Sequence, residues 1–296
     1  MNIFLERYKQ LGQDINPNQI KVKQAIRINT LKINPEELVE RLELERVQLI
    51  KIPFLDNGYW IESSEFSVGA ATEHLLGYYY VQETAAQIPV QILDPKEDDL
   101  VLDMSAAPGG KTTQIAQYMN NKGAVIALDI NNMRLISLRN NLERLGVKNT
   151  IMYQLDAKFV SNLGMKFDKI LLDAPCSGNF AVDPKWLDKR KLEDIKTSAK
   201  TQKQLFTAAV DALEENGELI YSTCSLEPEE NEFIVDWALS EFPELKIQKI
   251  NFPIGDDGIT NPFGIELNKN VKYSRRFWPN ITGTQGFFIA KFRKEK

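Results

Sequence analysis

The chain has two cysteines, Cys176 and Cys224, and each lies in a short polar stretch directly after an apolar run of strand type. Asp173-Ala-Pro-Cys-Ser-Gly178 presents the first, and Tyr221-Ser-Thr-Cys-Ser225 the second. Cysteines are often no more than small buried hydrophobes, yet both of these fall within polar loops, which favours chemistry. A thiol with a reference pKa of about 8.5 becomes a useful nucleophile once a cation or a helix N-terminus stabilises its thiolate. Lys111 is a candidate cation, and Glu227-Pro-Glu-Glu a candidate helix start just after Cys224. The single histidine, His74, reads as a partly buried side chain, so neither thiol has an evident imidazole base and a multi-histidine metal site is excluded.

A second chemical stretch is Leu100–Gln114. An apolar run, Leu100-Val-Leu102, breaks at Asp103 into a turn of small residues and continues into helix-compatible Thr112–Tyr118. Strand, glycine turn and helix N-terminus together make an anion or nucleotide site, because unpaired backbone N–H groups converge there. A phosphate-cradling loop needs glycine five residues before Gly110-Lys-Thr112, and that place is held by Ser105, so the match is half complete. A dinucleotide-type loop expects an acid about twenty residues on, at the next strand's tip. Asp129, ending Ala124-Val-Ile-Ala-Leu128, meets that expectation.

These pieces belong to a regular alternation. From Asp98 onward strands are expected at Leu100–Asp103, Ala124–Asp129, Thr150–Leu155, Lys169–Asp173 and Glu218–Ser222, with helices at Thr112–Met119, Met133–Leu145, Leu192–Glu214 and Glu229–Glu241. That order implies a parallel sheet with right-handed crossovers. After Leu245–Ile250, the segment 251–285 reads as irregular, and Gly286–Phe292 as a strong last strand. Open α/β sheets bind ligands beyond the carboxyl ends of their strands. Asp103, Asp129, Asp156, Asp173 and Cys224 all fall at such ends. Asp129 suits a ribose diol, and Asp156 can accept from an adenine amino group.

Upstream, Phe4, Leu5, Tyr8 and Leu11 form a short amphipathic pattern ending near Gly12. Ala25–Ile33 alternates as a half-buried strand does. Asn34-Pro-Glu-Glu starts a helix with Leu38, Val39, Leu42 and Leu44 inward, and Val47–Ile52 and Tyr59–Glu62 read as strands. This succession suggests a small α+β domain, with Arg27, Lys32 and Lys51 as candidate RNA contacts. Tyr78-Tyr-Tyr80 is either core or a base-stacking surface, and Gln82 and Glu83 are placed to face a site.

Composition sets the frame. At 296 residues, 43% hydrophobic and 26% charged, the chain reads as a soluble globular protein of two domains, divided at 1–94 and 95–296. No uncharged apolar run approaches the ~18 residues of a membrane span, and the N-terminus lacks a signal-peptide core, so a cytoplasmic protein is expected. Two cysteines make no disulfide framework. The net charge of −5 argues mildly against nucleic acid, but distribution outweighs the total. Lys185, Lys189, Arg190 and Lys191, with Lys269, Lys272, Arg275 and Arg276, cluster after the thiol loops.

Taken together, Asp103-Met-Ser-Ala-Ala-Pro-Gly-Gly-Lys-Thr-Thr-Gln114, Asp173-Ala-Pro-Cys-Ser-Gly178 and Ser222-Thr-Cys-Ser225 with Glu227-Pro-Glu-Glu-Asn231 resemble the signature motifs of the NOL1/NOP2/Sun family of RNA 5-methylcytosine methyltransferases. The likeness extends to Arg276-Phe-Trp-Pro279, Gly286-Phe-Phe-Ile-Ala-Lys291, Arg27-Ile-Asn-Thr-Leu-Lys32 and Gly77-Tyr-Tyr-Tyr-Val-Gln82, nearly the whole chain. The resemblance implies a Rossmann-like class I methyltransferase domain whose mostly parallel sheet ends in an antiparallel strand, preceded by a small α+β RNA-binding region. It implies S-adenosylmethionine as cofactor, held by Ser105, Ala106, Ala107, Pro108, Gly109, Gly110, Lys111, Asp129, Arg134, Asp156 and Asp173, and no metal. It assigns the nucleophile to Cys224 and product release to Cys176, with Asp173 and Lys111 in the active site. In that chemistry a thiolate adds at carbon 6 of cytosine, which makes carbon 5 nucleophilic toward a methyl group. Asn280 departs from the family, where histidine is frequent after Trp-Pro.

The expected substrate is tRNA, because the chain is compact like the archaeal tRNA-modifying members and has no large helical domain before its βαββ segment; a monomer without a membrane partner is expected. The alternatives are an rRNA cytosine-5 methyltransferase and, in another class, a non-catalytic RNA-binding or assembly factor that keeps the cofactor fold. Loss of a thiol would mark that factor, and neither is lost. A DNA cytosine methyltransferase would use the Pro-Cys thiol and would not need Cys224.

Overall fold

The computed structural model describes residues 2–296. Its N-terminal part runs α1 (Ile3–Gln10), β1 (Ala25–Ile28), α2 (Pro35–Leu44), β2 (Val47–Lys51), β3 (Gly58–Ser64), α3 (Thr72–Leu75), β4 (Tyr79–Val81) and α4 (Thr84–Leu93). The four strands pair antiparallel in the order β2-β3-β1-β4. Asn34 caps α2 by accepting from the Glu36 amide at 2.9 Å, and Leu38 and Leu42 pack with Ile26, Ile28, Val47 and Tyr79. Leu44, expected inward, is 86% exposed, because its position carries it off that apolar stripe.

Strand β1 is shorter than the Ala25–Ile33 alternation suggests, and all four of its residues are buried. Ile26 and Ile28 face α2, while Ala25 joins the core of the larger sheet. Beyond Ile28 the chain turns, because Asn29 donates to the carbonyls of Gly77 and Leu145, both at 2.8 Å, and accepts from the Lys32 amide.

The remainder comprises β5 (Leu100–Asp103), α5 (Gly110–Tyr118), β6 (Ala124–Asp129), α6 (Asn132–Leu145), β7 (Thr150–Gln154), β8 (Phe167–Asp173), α7 (Trp186–Lys189), α8 (Leu192–Ala212), β9 (Leu213–Thr223), α9 (Glu232–Glu241), β10 (Leu245–Gln248), β11 (Asp256–Asp257), β12 (Arg275–Phe277), α10 (Pro279–Thr282) and β13 (Phe287–Lys294). The sheet order is β11-β12-β13-β9-β8-β5-β6-β7, with β10 also on β13. The pairs β7/β6, β6/β5, β5/β8 and β8/β9 are parallel, and β13 lies antiparallel to β9. This is a Rossmann-like α/β sheet. The segment 251–285 is less irregular than its composition suggests, since β11 and β12 extend the sheet past β13.

The parallel strands read as continuous apolar runs because both faces are covered. Val101, Leu171 and Ile220 pack under α4 and α5 with Ile88 and Ile115, while Leu102, Leu172 and Tyr221 pack under α8 and α9 with Phe206 and Ile234. Chain order reverses between β5 and β8, so Asp103 and Asp173 end neighbouring strands at the switch point where such sheets bind ligands. Among the described residues no helix is long and apolar enough to cross a membrane.

The two sheets are braced together. Arg27 is 1% exposed and donates to Gln117 Oε1 at 3.1 Å, Thr113 Oγ1 at 2.8 Å, the Gly110 carbonyl at 2.5 Å, and Gln82 Oε1. It is therefore a buried strut rather than an RNA contact. Burial pushes its pKa down to about 9. Lys32 is exposed but donates to the carbonyls of Leu76 and Arg144, and Lys51 to those of Leu55 and Asp56, so neither ammonium is free. Gln82, expected to face a site, holds Arg27 and Gln114 in this brace.

Candidate active site

The turn after β5 is shaped by Gly109, whose φ of +112° suits glycine and whose missing Cβ would meet Leu138 at 2.9 Å. Helix α6 fastens the same turn from the side. Arg134 donates to the Ala107 carbonyl, and Asn141 Nδ2 donates to the Pro108 carbonyl at 2.9 Å. Asp103 is 1% exposed and accepts from Thr112 Oγ1 at 2.7 Å and from the Ser105 amide. Burial pushes its pKa up to about 6, and the Thr112 hydroxyl pulls the other way. It shapes the loop from beneath.

Above this floor lies a cavity of about 630 Å³ walled by Ser105, Ala107, Pro108, Asp129, Arg134, Asp156, Asp173, Cys176 and Cys224. Ala106, Gly109, Gly110 and Lys111 are not on its wall. Ala106 is buried with its amide bonded to the Leu128 carbonyl, and the Gly110 carbonyl is taken by Arg27. Lys111 Nζ instead pairs with Asp173 Oδ2 at 2.7 Å, while Ser222 donates to Asp173 Oδ1 at 2.8 Å. Burial acts to lower the Lys111 pKa, but Asp173, Asp103 and Cys224 outweigh it and keep the ammonium charged. A wider cleft of about 790 Å³, along β2 and β3, is lined by Glu43, Arg46, Glu62 and Glu65 and has no thiol.

Asp129 Oδ1 accepts from the Asn131 amide at 2.9 Å. Its Oδ2 is buried without a hydrogen bond, with Arg134 Nη1 3.2 Å away but poorly aligned. A buried carboxylate oxygen lacking a donor, at the rim of a mostly apolar cavity, fits the hydroxyls of a ribose. Asp156 accepts from the Lys158 amide and lies 3.1 Å from its ammonium.

The two sulfurs meet: Cys176 Sγ and Cys224 Sγ are 2.9 Å apart, although 48 residues separate them in sequence. Hydrogen bonding to Cys224 and then burial push the Cys176 thiol well up, with the charges of Cys224 and Glu230 adding to the effect. Several groups that secure the thiol loops were not apparent as site residues in the sequence. Asn179 donates to the Cys224 carbonyl at 2.7 Å and the Gly286 carbonyl at 3.1 Å. Glu230 and Asn231 lie in the Glu227-Pro-Glu-Glu-Asn motif that reads as a helix start. The helix α9 begins only at Glu232, after a 3₁₀ turn over Pro228–Glu230.

The N-terminal helix α1 packs Phe4 and Tyr8 against Phe180, Trp186 and Trp278, and Arg7 bonds Glu227 and Glu229. Of the basic cluster, Lys185, Lys189, Arg190, Lys191, Lys269 and Lys272 are exposed. Arg275 pairs with Asp257, and Arg276, at 0% exposure, with Glu232 and the Leu226 carbonyl, so Arg276 supports the thiol loop instead of facing RNA. Asn280 donates to Gln13 at 3.0 Å, tying α10 to the N-terminal segment. His74 lies against Tyr79, away from the cavity. Among the described residues no His, Cys, Asp or Glu cluster could hold a metal ion.

Residues 90–293 match the family model described as 16S rRNA methyltransferase RsmB/F, and residues 3–84 match the N-terminal domain of 16S rRNA methyltransferase RsmF. A tRNA (cytosine(72)-C(5))-methyltransferase of Pyrococcus horikoshii is 45% identical over 220 residues, 74% of this chain and 53% of that protein. A 28S rRNA (cytosine-C(5))-methyltransferase of Mus musculus is 36% identical over 292 residues, 96% of this chain and 37% of that protein. The chain thus spans about half or less of these curated relatives. A crystal structure of a methyltransferase homologue from Pyrococcus horikoshii superposes with a TM-score of 0.90 at 40% identity, covering 99% of this chain and 94% of that one.

Proposed function

The chain belongs to the RsmB/F (NOL1/NOP2/Sun) family of RNA methyltransferases, and we propose on that footing that it methylates carbon 5 of a cytosine in RNA, using S-adenosylmethionine. The observation that carries this reading is the contact between Cys176 and Cys224 at the edge of a cavity whose far rim holds the donorless Asp129 oxygen. Asp129 would bind the ribose hydroxyls, Asp156 the adenine amino group, and the backbone at Ser105, Ala107 and Pro108 with Arg134 the methionine end. When bound, the cofactor supplies an electrophilic methyl group.

The chain's own residues do the rest. Cys224 as thiolate adds to carbon 6 of the cytosine, leaving electron density on carbon 5. Asp173, held by Lys111 and Ser222, bonds the N3 and amino edge of the base and steadies the proton that N3 gains in the adduct. After methylation, N3 gives its added proton back to solvent, carbon 5 gives its proton to water as the 5,6 double bond re-forms, and the carbon 6–sulfur pair leaves with Cys224 as thiolate. Cys176, in contact with that sulfur, assists the release directly or through water.

We assign tRNA as the substrate, supported by the 45% identity to a tRNA enzyme. The rRNA reading is supported by the descriptions of both family models and by a 28S rRNA relative that spans 96% of the chain. Exposed Lys185, Lys189, Arg190 and Lys191, with Lys269 and Lys272, suit phosphate contacts in either case. Transfer of labelled methyl groups to tRNA and rRNA transcripts, followed by mapping, tests both. Label on rRNA alone would overturn the tRNA assignment, and label on neither would overturn the activity.

A further inference from the structure

Glu230 occupies the 3₁₀ turn between β9 and α9 and has no solvent exposure. Its Oε2 accepts from the Ser177 amide at 3.0 Å and from Gln202 Nε2 at 2.7 Å. Its Oε1 accepts from Ser225 Oγ at 2.8 Å and also from Ser177 Oγ. Ser177 follows Cys176 and Ser225 follows Cys224, so one carboxylate grips the residue next to each thiol. Gln202 carries the grip to the other side of Cys176 by donating to the Pro175 carbonyl at 3.0 Å. The neighbouring Asn231 holds the Cys224 loop from both sides, accepting from Thr223 Oγ1 at 2.6 Å and donating to the Ser225 carbonyl at 2.9 Å.

Among the described residues Glu230 makes no salt bridge. A buried carboxylate surrounded by neutral donors is a costly way to secure two loops if securing them is its whole task. An ionised carboxylate accepts at both oxygens, whereas a glutamine in its place would present a donor where the serine donors need an acceptor. The charge also has a direction. Glu230 acts on Cys176 and on Tyr221, whose hydroxyl donates to the Glu230 carbonyl at 2.6 Å, while the Lys111 ammonium answers Cys224, Asp173 and Asp103. Glu230 thus adds to the groups that hold the proton on Cys176.

We infer that Glu230 is a positioning residue that holds the two thiol loops in contact and helps to keep Cys176 protonated. The inference rests on the proposed thiol chemistry, but its test needs neither RNA nor cofactor. The measurement is the pH dependence of iodoacetamide alkylation at each cysteine, read by peptide mass spectrometry at low conversion, in the wild type and in Glu230→Gln. In the wild type Cys224 reacts first. In Glu230→Gln the rate of Cys176 relative to Cys224 near neutral pH rises on the order of tenfold, the effect of about one pKa unit. A purely structural role would leave the two pH midpoints in place, and unchanged midpoints overturn the inference. If Glu230→Gln fails to fold, Ser177→Ala and Ser225→Ala each withdraw one hydroxyl from the carboxylate and should alter the Cys176 to Cys224 ratio; wild-type profiles in both overturn it. A wild type that alkylates as expected but methylates no RNA would overturn the proposed activity and leave the Glu230 inference standing.

Discussion

Arg276 Nε donates to Glu232 Oε1 at 2.8 Å, and both side chains are wholly buried, so the ion pair lies out of water behind the loop that carries Cys224. Removing one partner of such a pair strands a buried charge. Arg276→Met should cost about 3–5 kcal/mol in urea unfolding. Neutralising exposed Lys269 or Lys272 should instead leave stability unchanged and lower the salt slope of RNA binding by about one for each phosphate deprived of its cation. A stable Arg276→Met protein with a reduced salt slope would contradict this division.

Asp129→Asn removes the charge from the oxygen that lacks a donor. Binding of S-adenosylhomocysteine, measured by calorimetry, should weaken by roughly 10- to 100-fold, because a hydrogen bond to a charged group contributes about 1.5–3 kcal/mol. Unaltered affinity would rule out the ribose role.

The thiols separate by trapping. Cys176→Ala should accumulate a covalent protein–RNA adduct that survives denaturing electrophoresis, and Cys224→Ala should form none. The reverse pattern would exchange their roles.

Glu83 caps α4, accepting from the Ala85 amide at 2.7 Å, and also accepts from the Gln285 amide at 3.0 Å. Burial nevertheless pushes its pKa up to about 7 from the ordinary 4.5, against the pull of those amides. Between these values the native chain keeps a proton that the unfolded chain has released, so this group's contribution to stability falls as pH rises through that window. Glu83→Gln cannot ionise. Its unfolding free energy relative to wild type should therefore improve by on the order of 2 kcal/mol from pH 5 to pH 8. Parallel curves across that range would refute the raised pKa.

The parallel strands and their terminal acids were legible because each apolar run is local and ends at a polar residue. Strands β5 and β6 begin and end where the pattern places them. The convergence of Asp129, Asp156, Asp173 and both thiols on one cavity follows from the rule for strand ends. Buried charge was not legible. Arg27 and Arg276 look like RNA contacts in the sequence, and what buries them lies far away: Gln117 is 90 residues from Arg27, and Glu232 is 44 from Arg276. Glu230 was hidden differently, because a Pro-Glu-Glu run also fits an ordinary helix start.

The brace between the sheets has a consequence for the nucleic acid. Arg27 ties the small sheet to the first residue of α5, and Asn29 and Lys32 tie it to the end of α6. Bonds this numerous across the seam resist any folding of one sheet over the other around a substrate. Under the proposed activity, distortion would then fall on the RNA, whose target cytosine would have to swing out of its stack to reach sulfur, at a cost of about a few kcal/mol. Cytosines already unpaired, in a loop or at a frayed stem end, would be the cheapest to reach, so the proposed enzyme would select its site by how easily the RNA gives way.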